Sequence, residues 1–89
     1  MVGQIKLVSI LLDVLKPHEP NILQFATHLR ELDGVKKIEI SLVERDQKTE
    51  SVMVGINGNI DYKALRTQIS LDGAIIQSID KVIVERSID

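Results

Sequence analysis

The run Gln4-Ile5-Lys6-Leu7-Val8-Ser9-Ile10-Leu11-Leu12-Asp13-Val14-Leu15, followed at once by Lys16-Pro17-His18-Glu19-Pro20-Asn21-Ile22, decides the fold. Both parities of the first segment are largely apolar. Val8, Ile10, Leu12 and Val14 fall on one side, and Ile5, Leu7, Leu11 and Leu15 on the other. That pattern reads as a central strand covered on both sides, with Ser9 and Asp13 making the second side the less dry one. The two prolines fix φ and push Lys16 and Glu19 out of the helical region. The segment is therefore a rigid strand-to-helix corner, with Pro20 expected at the first helical position, where its missing N–H is not needed.

After the corner, Ile22, Phe25, Ala26, Leu29 and Leu32 recur at intervals of three and four, the signature of an amphipathic helix, and Gly34 is expected to end it. Ile38, Ile40 and Leu42 then alternate with Lys37, Glu39 and Ser41, as do Val52, Val54 and Ile56 beyond the polar turn Asp46-Gln47-Lys48-Thr49-Glu50. These two segments form a hairpin. Asn57-Gly58-Asn59 breaks its second strand. Asp61 is a natural N-cap for a helix carrying Leu65 and Ile69, with Ile60 at the staple position and Gly73 at the end. A last strand runs from Ala74 to about Glu85, with a bulge expected near Ser78 and Asp80. The order β-α-β-β-α-β predicts one ferredoxin-like α+β domain over residues 1–89, with an antiparallel sheet in the order 4-1-3-2 and both helices on one face.

Composition narrows the function. Hydrophobic residues make up 44% and charged residues 27%, which excludes a disordered polar chain. A net charge of -2, from 11 basic and 13 acidic residues, gives no electrostatic reason to approach a phosphate backbone, so nucleic acid is not an expected partner. Cysteine is absent, which removes disulfides and thiolate chemistry. The apolar run from Ile5 to Leu15 is interrupted by Lys6, Ser9 and Asp13 and is too short to span a bilayer, so no membrane partner is expected and the cytoplasm is the default. The two aromatic residues, Phe25 and Tyr62, lie outside the central strands, where an RNA binder of this fold would need stacking rings.

The topology brings the end of the first strand, the hairpin turn and the start of the last strand to one end of the sheet. Asp13, His18, Glu19, Glu44, Asp46, Glu50 and Asp72 are expected to approach this rim, and their mutual repulsion would favour a hard divalent cation. Calcium suits several flexible carboxylates better than magnesium, which retains its waters. Zinc would find one histidine and no cysteine. The expected metal-binding set is Asp13, His18, Glu19, Glu44, Asp46 and Glu50. The plain alternative is a solvated acidic rim neutralised by Lys16, Arg45 and Lys48. His28 has no visible partner in the sequence.

The strings LDVLKPHEP, DGV, DQKTE and DGAIIQSIDKV carry a resemblance that spans nearly the whole chain. The chain resembles the archaeal proteins grouped as family two hundred and eleven of the domains of unknown function. The resemblance implies small ferredoxin-like proteins that assemble into ring-like homo-oligomers, with calcium in at least some of them, and no known reaction. The matching positions are Asp13, Lys16, Pro17, His18, Glu19 and Pro20, then Asp46, Thr49 and Glu50, then Ser78, Ile79 and Asp80. Gln77 departs from the pattern, since relatives often carry histidine there.

The leading reading is a non-enzymatic, self-assembling domain with no catalytic residues, a homo-oligomer larger than a dimer. It would bind calcium at the acidic rim and could serve regulation. The alternative is a regulatory module holding a small-molecule effector on the uncovered sheet face, near Ser41 and Asn57. A third reading makes His18 a general base oriented by Asp13 or Glu19, but no nucleophile or substrate cradle accompanies it.

Overall fold

Six elements follow one another in the computed structural model, which describes residues 3–87: β1 (Ile5–Pro17), α1 (Ile22–Arg30), β2 (Val35–Arg45), β3 (Thr49–Gly58), α2 (Tyr62–Leu71) and β4 (Ile75–Arg86). Neighbouring strands are all antiparallel and the sheet runs β2-β3-β1-β4, the expected order read from its other edge. The register Ile10↔Ile56, Leu12↔Val54 and Val14↔Val52 lines up the alternating apolar positions of the two central strands. These six side chains share one core with Phe25 and Leu29 of α1 and Leu65 and Ile69 of α2, so both helices cover the same sheet face. None of the ten is more than 2% exposed, and full burial of each contributes about 1.5–3 kcal/mol before conformational entropy is counted.

Three local expectations are corrected. Leu7 does not share the uncovered face with Leu11. Val8 is an extra residue between the pairs Leu7↔Val84 and Ser9↔Ile83, and this bulge turns Leu7 toward the core. Pro20 is not the first helical residue either. Asn21 caps α1, its Oδ1 accepting from the Gln24 amide at 2.8 Å while the Gln24 side chain accepts from the Asn21 amide at 3.0 Å. This reciprocal box satisfies two otherwise orphaned donors, so the helix starts after the proline. The Glu19–Pro20 bond is cis.

Gly34, finally, does not terminate α1, whose C-cap is Glu31. With φ at +86° it turns the chain into β2, and a Cβ there would lie 2.2 Å from the Asn59 carbonyl oxygen, a close approach only glycine allows.

The second helix follows its sequence signals. Asp61 accepts from the Ala64 amide, Ile60 and Leu65 meet in the core as a staple, and Gly73 and Ala74 donate to the carbonyls of Ser70 and Ile69 in a Schellman ending. The bulge expected in β4 is present twice: Gln77 and Asp80 are each extra against β1. The molecule is long and thin, 53 × 22 × 17 Å, because β1 and β4 run on together.

Candidate functional site

At the rim, alternation carries a charge into the core. Lys16 continues the buried series Ile10, Leu12 and Val14, and Glu50 begins the buried series Val52, Val54 and Ile56 on the paired strand. The register sets Lys16 opposite Glu50. Lys16 is fully buried, and its Nζ donates to Glu50 Oε1 at 2.7 Å and to the Pro17 carbonyl at 2.8 Å. The Phe25 ring centroid lies 5.8 Å from the ammonium, adding a cation–π contact. Arg45 Nε approaches the other Glu50 oxygen at 3.9 Å. Glu50 is therefore 5% exposed and already held by a buried cation, with a second cation at its open side. A buried charge is tolerated only when paired in this way.

The remaining metal-ligand candidates are divided among different surroundings. His18 Nε2 lies 2.8 Å from the Asp46 carbonyl oxygen. A carbonyl can only accept, so this nitrogen carries the proton and ties the corner to the hairpin turn. The Asp46 amide donates to Thr49 O at 2.8 Å and closes that turn. His18, Glu19, Arg45 and Glu50 line a shallow groove together with Asn21, Ile22 and Leu42. Asp13 stands opposite Met53 and Ser78, one position out of phase with the buried series, and so points to the uncovered face. Glu44 pairs with Ser51 after the extra residue Val43 and faces the same way. The expected set is thus split by the sheet itself, and among the described residues no three His, Asp or Glu side chains gather to hold an ion.

The uncovered face carries Leu11, Asp13 and Leu15 from β1, Met53 from β3 and Ile83 from β4. Ser41 and Asn57 do face it, with Leu11, Glu39, Met53 and Gly55 completing a depression of about 170 Å³. Beyond the helices, β4 is exposed along nearly its whole length as the outer strand.

A second pair escaped sequence reasoning. His28 Nδ1 is 2.9 Å from Asp72 Oδ2, joining α1 to the C-cap of α2. Asp72 therefore belongs to the helix layer. Nothing local in the sequence marks that contact, because it depends on how the two helices settle side by side. No helix among the described residues is long and apolar enough to cross a membrane.

The model of the DUF211 family, described as uncharacterized ArCR, matches residues 8–88. The uncharacterized protein MJ0319 of Methanocaldococcus jannaschii is 40% identical over 80 residues, covering 89% of this chain and 82% of that protein. The family match includes the corner, the hairpin and the whole of β4.

Proposed function

The chain belongs to DUF211, the uncharacterized ArCR family, and we propose that it works by assembling with copies of itself, as a non-catalytic scaffold whose uncovered sheet face and outer strand are its contact surfaces. One observation carries the reading. Of the ten large hydrophobic side chains left exposed among the described residues, Ile75, Ile79, Val82, Ile83 and Val84 lie on β4. An unpaired edge that is apolar on both faces is a template for another strand. A small domain rarely leaves so much apolar surface uncovered as a monomer. The non-catalytic part of the reading draws on His18, whose Nε2 is already engaged by a main-chain carbonyl.

Calcium enters as an ion shared between copies. Asp13 and Glu44 both stand on the uncovered face, and closing that face against a neighbour would crowd carboxylates that repel one another. A cation accepting a large, irregular oxygen shell suits such a seam. The test is the solution mass of chelator-treated protein with and without millimolar calcium. A mass above two chains of 10.0 kDa is expected, with calcium raising it and giving heat on titration. A monomer at all micromolar concentrations would overturn self-assembly, whereas assembly without heat or mass change would remove calcium alone.

A second reading, a small-molecule effector module, draws on the depression between Leu11 and Asn57. Its volume of about 170 Å³ is below the roughly 300–1,000 Å³ of most ligand pockets, which places it behind assembly.

A further inference from the structure

The outer edge of β4 contains a sequence whose charges are arranged symmetrically about one residue. Reading outward from Ile83, the flanking residues are Val82 and Val84, then Lys81 and Glu85, then Asp80 and Arg86. Each step outward meets either two apolar residues or two opposite charges. We propose that β4 pairs antiparallel with β4 of a second copy, centred on Ile83, to make a continuous eight-stranded sheet.

In that register Ile83 meets Ile83 of the second copy on the two-fold axis, and Val82 meets Val84 twice. Lys81 meets Glu85 twice, and Asp80 meets Arg86 twice. Opposite residues of an antiparallel pair share a face, and the pairing with β1 fixes which face each takes. Lys81, Ile83 and Glu85 stand opposite Leu11, Ser9 and Lys6 on the uncovered side, while Val82 and Val84 stand opposite Ile10 and Leu7 on the helix side. The two ion pairs at Lys81 and Glu85 therefore flank an isoleucine contact on one face, and the valines close the other.

Other registers lose this match. A slip of one residue sets Asp80 against Glu85, or Lys81 against Arg86, and like charges directly opposite are unfavourable. A slip of two residues sets Lys81 against Ile83, or Glu85 against Ile83, with no charge partner. The register is thus specified on both sides, as it must be for an edge that pairs once and stops. The contact is isologous and closes at two copies. It leaves the uncovered face free, and that surface carries assembly beyond two. The β2 edge lacks this symmetry: about its centre at Ile40, Glu39 meets Ser41 and Lys37 meets Val43.

This inference rests on the self-assembly reading and is tested separately from it. The chain has no cysteine, so Ile83→Cys introduces a single thiol at the axis. Facing residues of an antiparallel pair have Cα atoms about 4.5–5.5 Å apart, within disulfide range. Mild oxidation should convert Ile83→Cys to a covalent dimer, while Ile79→Cys, also exposed but brought opposite Ser87, should remain uncrosslinked. In parallel, Lys81→Glu and Glu85→Lys should each weaken the contact about tenfold, since symmetry makes two like-charge contacts in either variant. An equimolar mixture of the two variants, or the double swap in one chain, restores both pairs and should restore the parent mass. If the parent assembles but Ile83→Cys does not crosslink, or Ile79→Cys crosslinks equally, the register is wrong. If the mixture and the double swap stay as weak as the single variants, the pairing is wrong. A parent that is itself monomeric overturns the broader reading instead.

Discussion

The two sides of β1 show how differently one sheet can treat its faces. On the helix side, Ile10, Leu12, Val14 and Lys16 are no more than 2% exposed, and the enclosure is tight enough to take in a lysine. On the other side, Ser9, Leu11, Asp13 and Leu15 are only partly covered, on a strand central to the sheet. The covered face completes itself within one chain, even to the point of pairing its own buried charge. The uncovered face and the β4 edge do not, and their unpartnered apolar groups are the reason for reading the protein as one that assembles. If the protein assembles as proposed, internal stability and assembly reside on opposite sides of the same strand, so adjacent residues should report on different properties.

The largest test of that division is the buried ion pair. Glu50→Gln leaves Lys16 charged in the core, and the loss should be about 3–5 kcal/mol, the usual cost of an uncompensated buried charge. Lys16→Met should behave alike by stranding Glu50, although Arg45 at 3.9 Å softens the effect. Replacing both, as Lys16→Met with Glu50→Leu, should recover most of the loss, leaving roughly 1 kcal/mol for the Pro17 carbonyl deprived of its donor. Urea midpoints at one protein concentration measure all three. A single variant within 1 kcal/mol of the parent would mean that water reaches Lys16 and that the covered face is less closed than described.

Next in size is a comparison of neighbours. Leu12→Ala opens a cavity in the core and should cost about 2–5 kcal/mol. Leu11→Ala removes a half-covered side chain and should cost under about 1 kcal/mol of chain stability while lowering the assembled mass. Denaturation and light scattering on the two variants should therefore move in opposite proportion. Equal destabilisation with unchanged mass would break the division between the faces.

Much of this arrangement was legible in the sequence, and the misses have physical causes. Period-two alternation in β1 and β3 and the three-to-four spacing in α1 specify elements, order and the buried side, because burial of one face demands those periods. The same alternation runs on through Lys16 and Glu50, but charged residues are seldom buried, and reading Glu50 as a rim ligand and Lys16 as a neutralising surface charge follows that common case rather than the period. Faces were misassigned where the alternation slips, since nothing at Val8 announces an extra residue and Leu7 follows the wrong parity. The His28–Asp72 contact lies between two helices far apart in sequence, where no local rule reaches. The acidic rim looked like one cluster because topology brings chain segments to one end of a sheet, but it does not say which face each side chain takes.

The smallest effect is the most discriminating for the uncovered face. Gly55 lies at the middle of β3, in the depression, with no positive φ to require glycine. A Cβ built there meets the Glu39 carbonyl oxygen at 3.7 Å and Leu11 Cδ1 at 3.9 Å, ordinary contacts. Gly55→Ala should therefore raise stability by about 0.4–1 kcal/mol, chiefly by restricting the unfolded chain. Gly58 provides the contrast on the same strand: at φ +146°, its Cβ would fall 2.2 Å from the Gly34 carbonyl oxygen, a position where alanine cannot fit without moving backbone. If Gly55→Ala is stabilised and assembles as the parent does, the depression is spare room on a contact surface. If it is stabilised but loses mass, a neighbour's side chain occupies that space in the assembly, and the face closes over Gly55. A destabilised Gly55→Ala would show that the strand is held tighter against Leu11 and Glu39 than an uncovered face allows, and the contrast between the two sides of the sheet would fail at its centre.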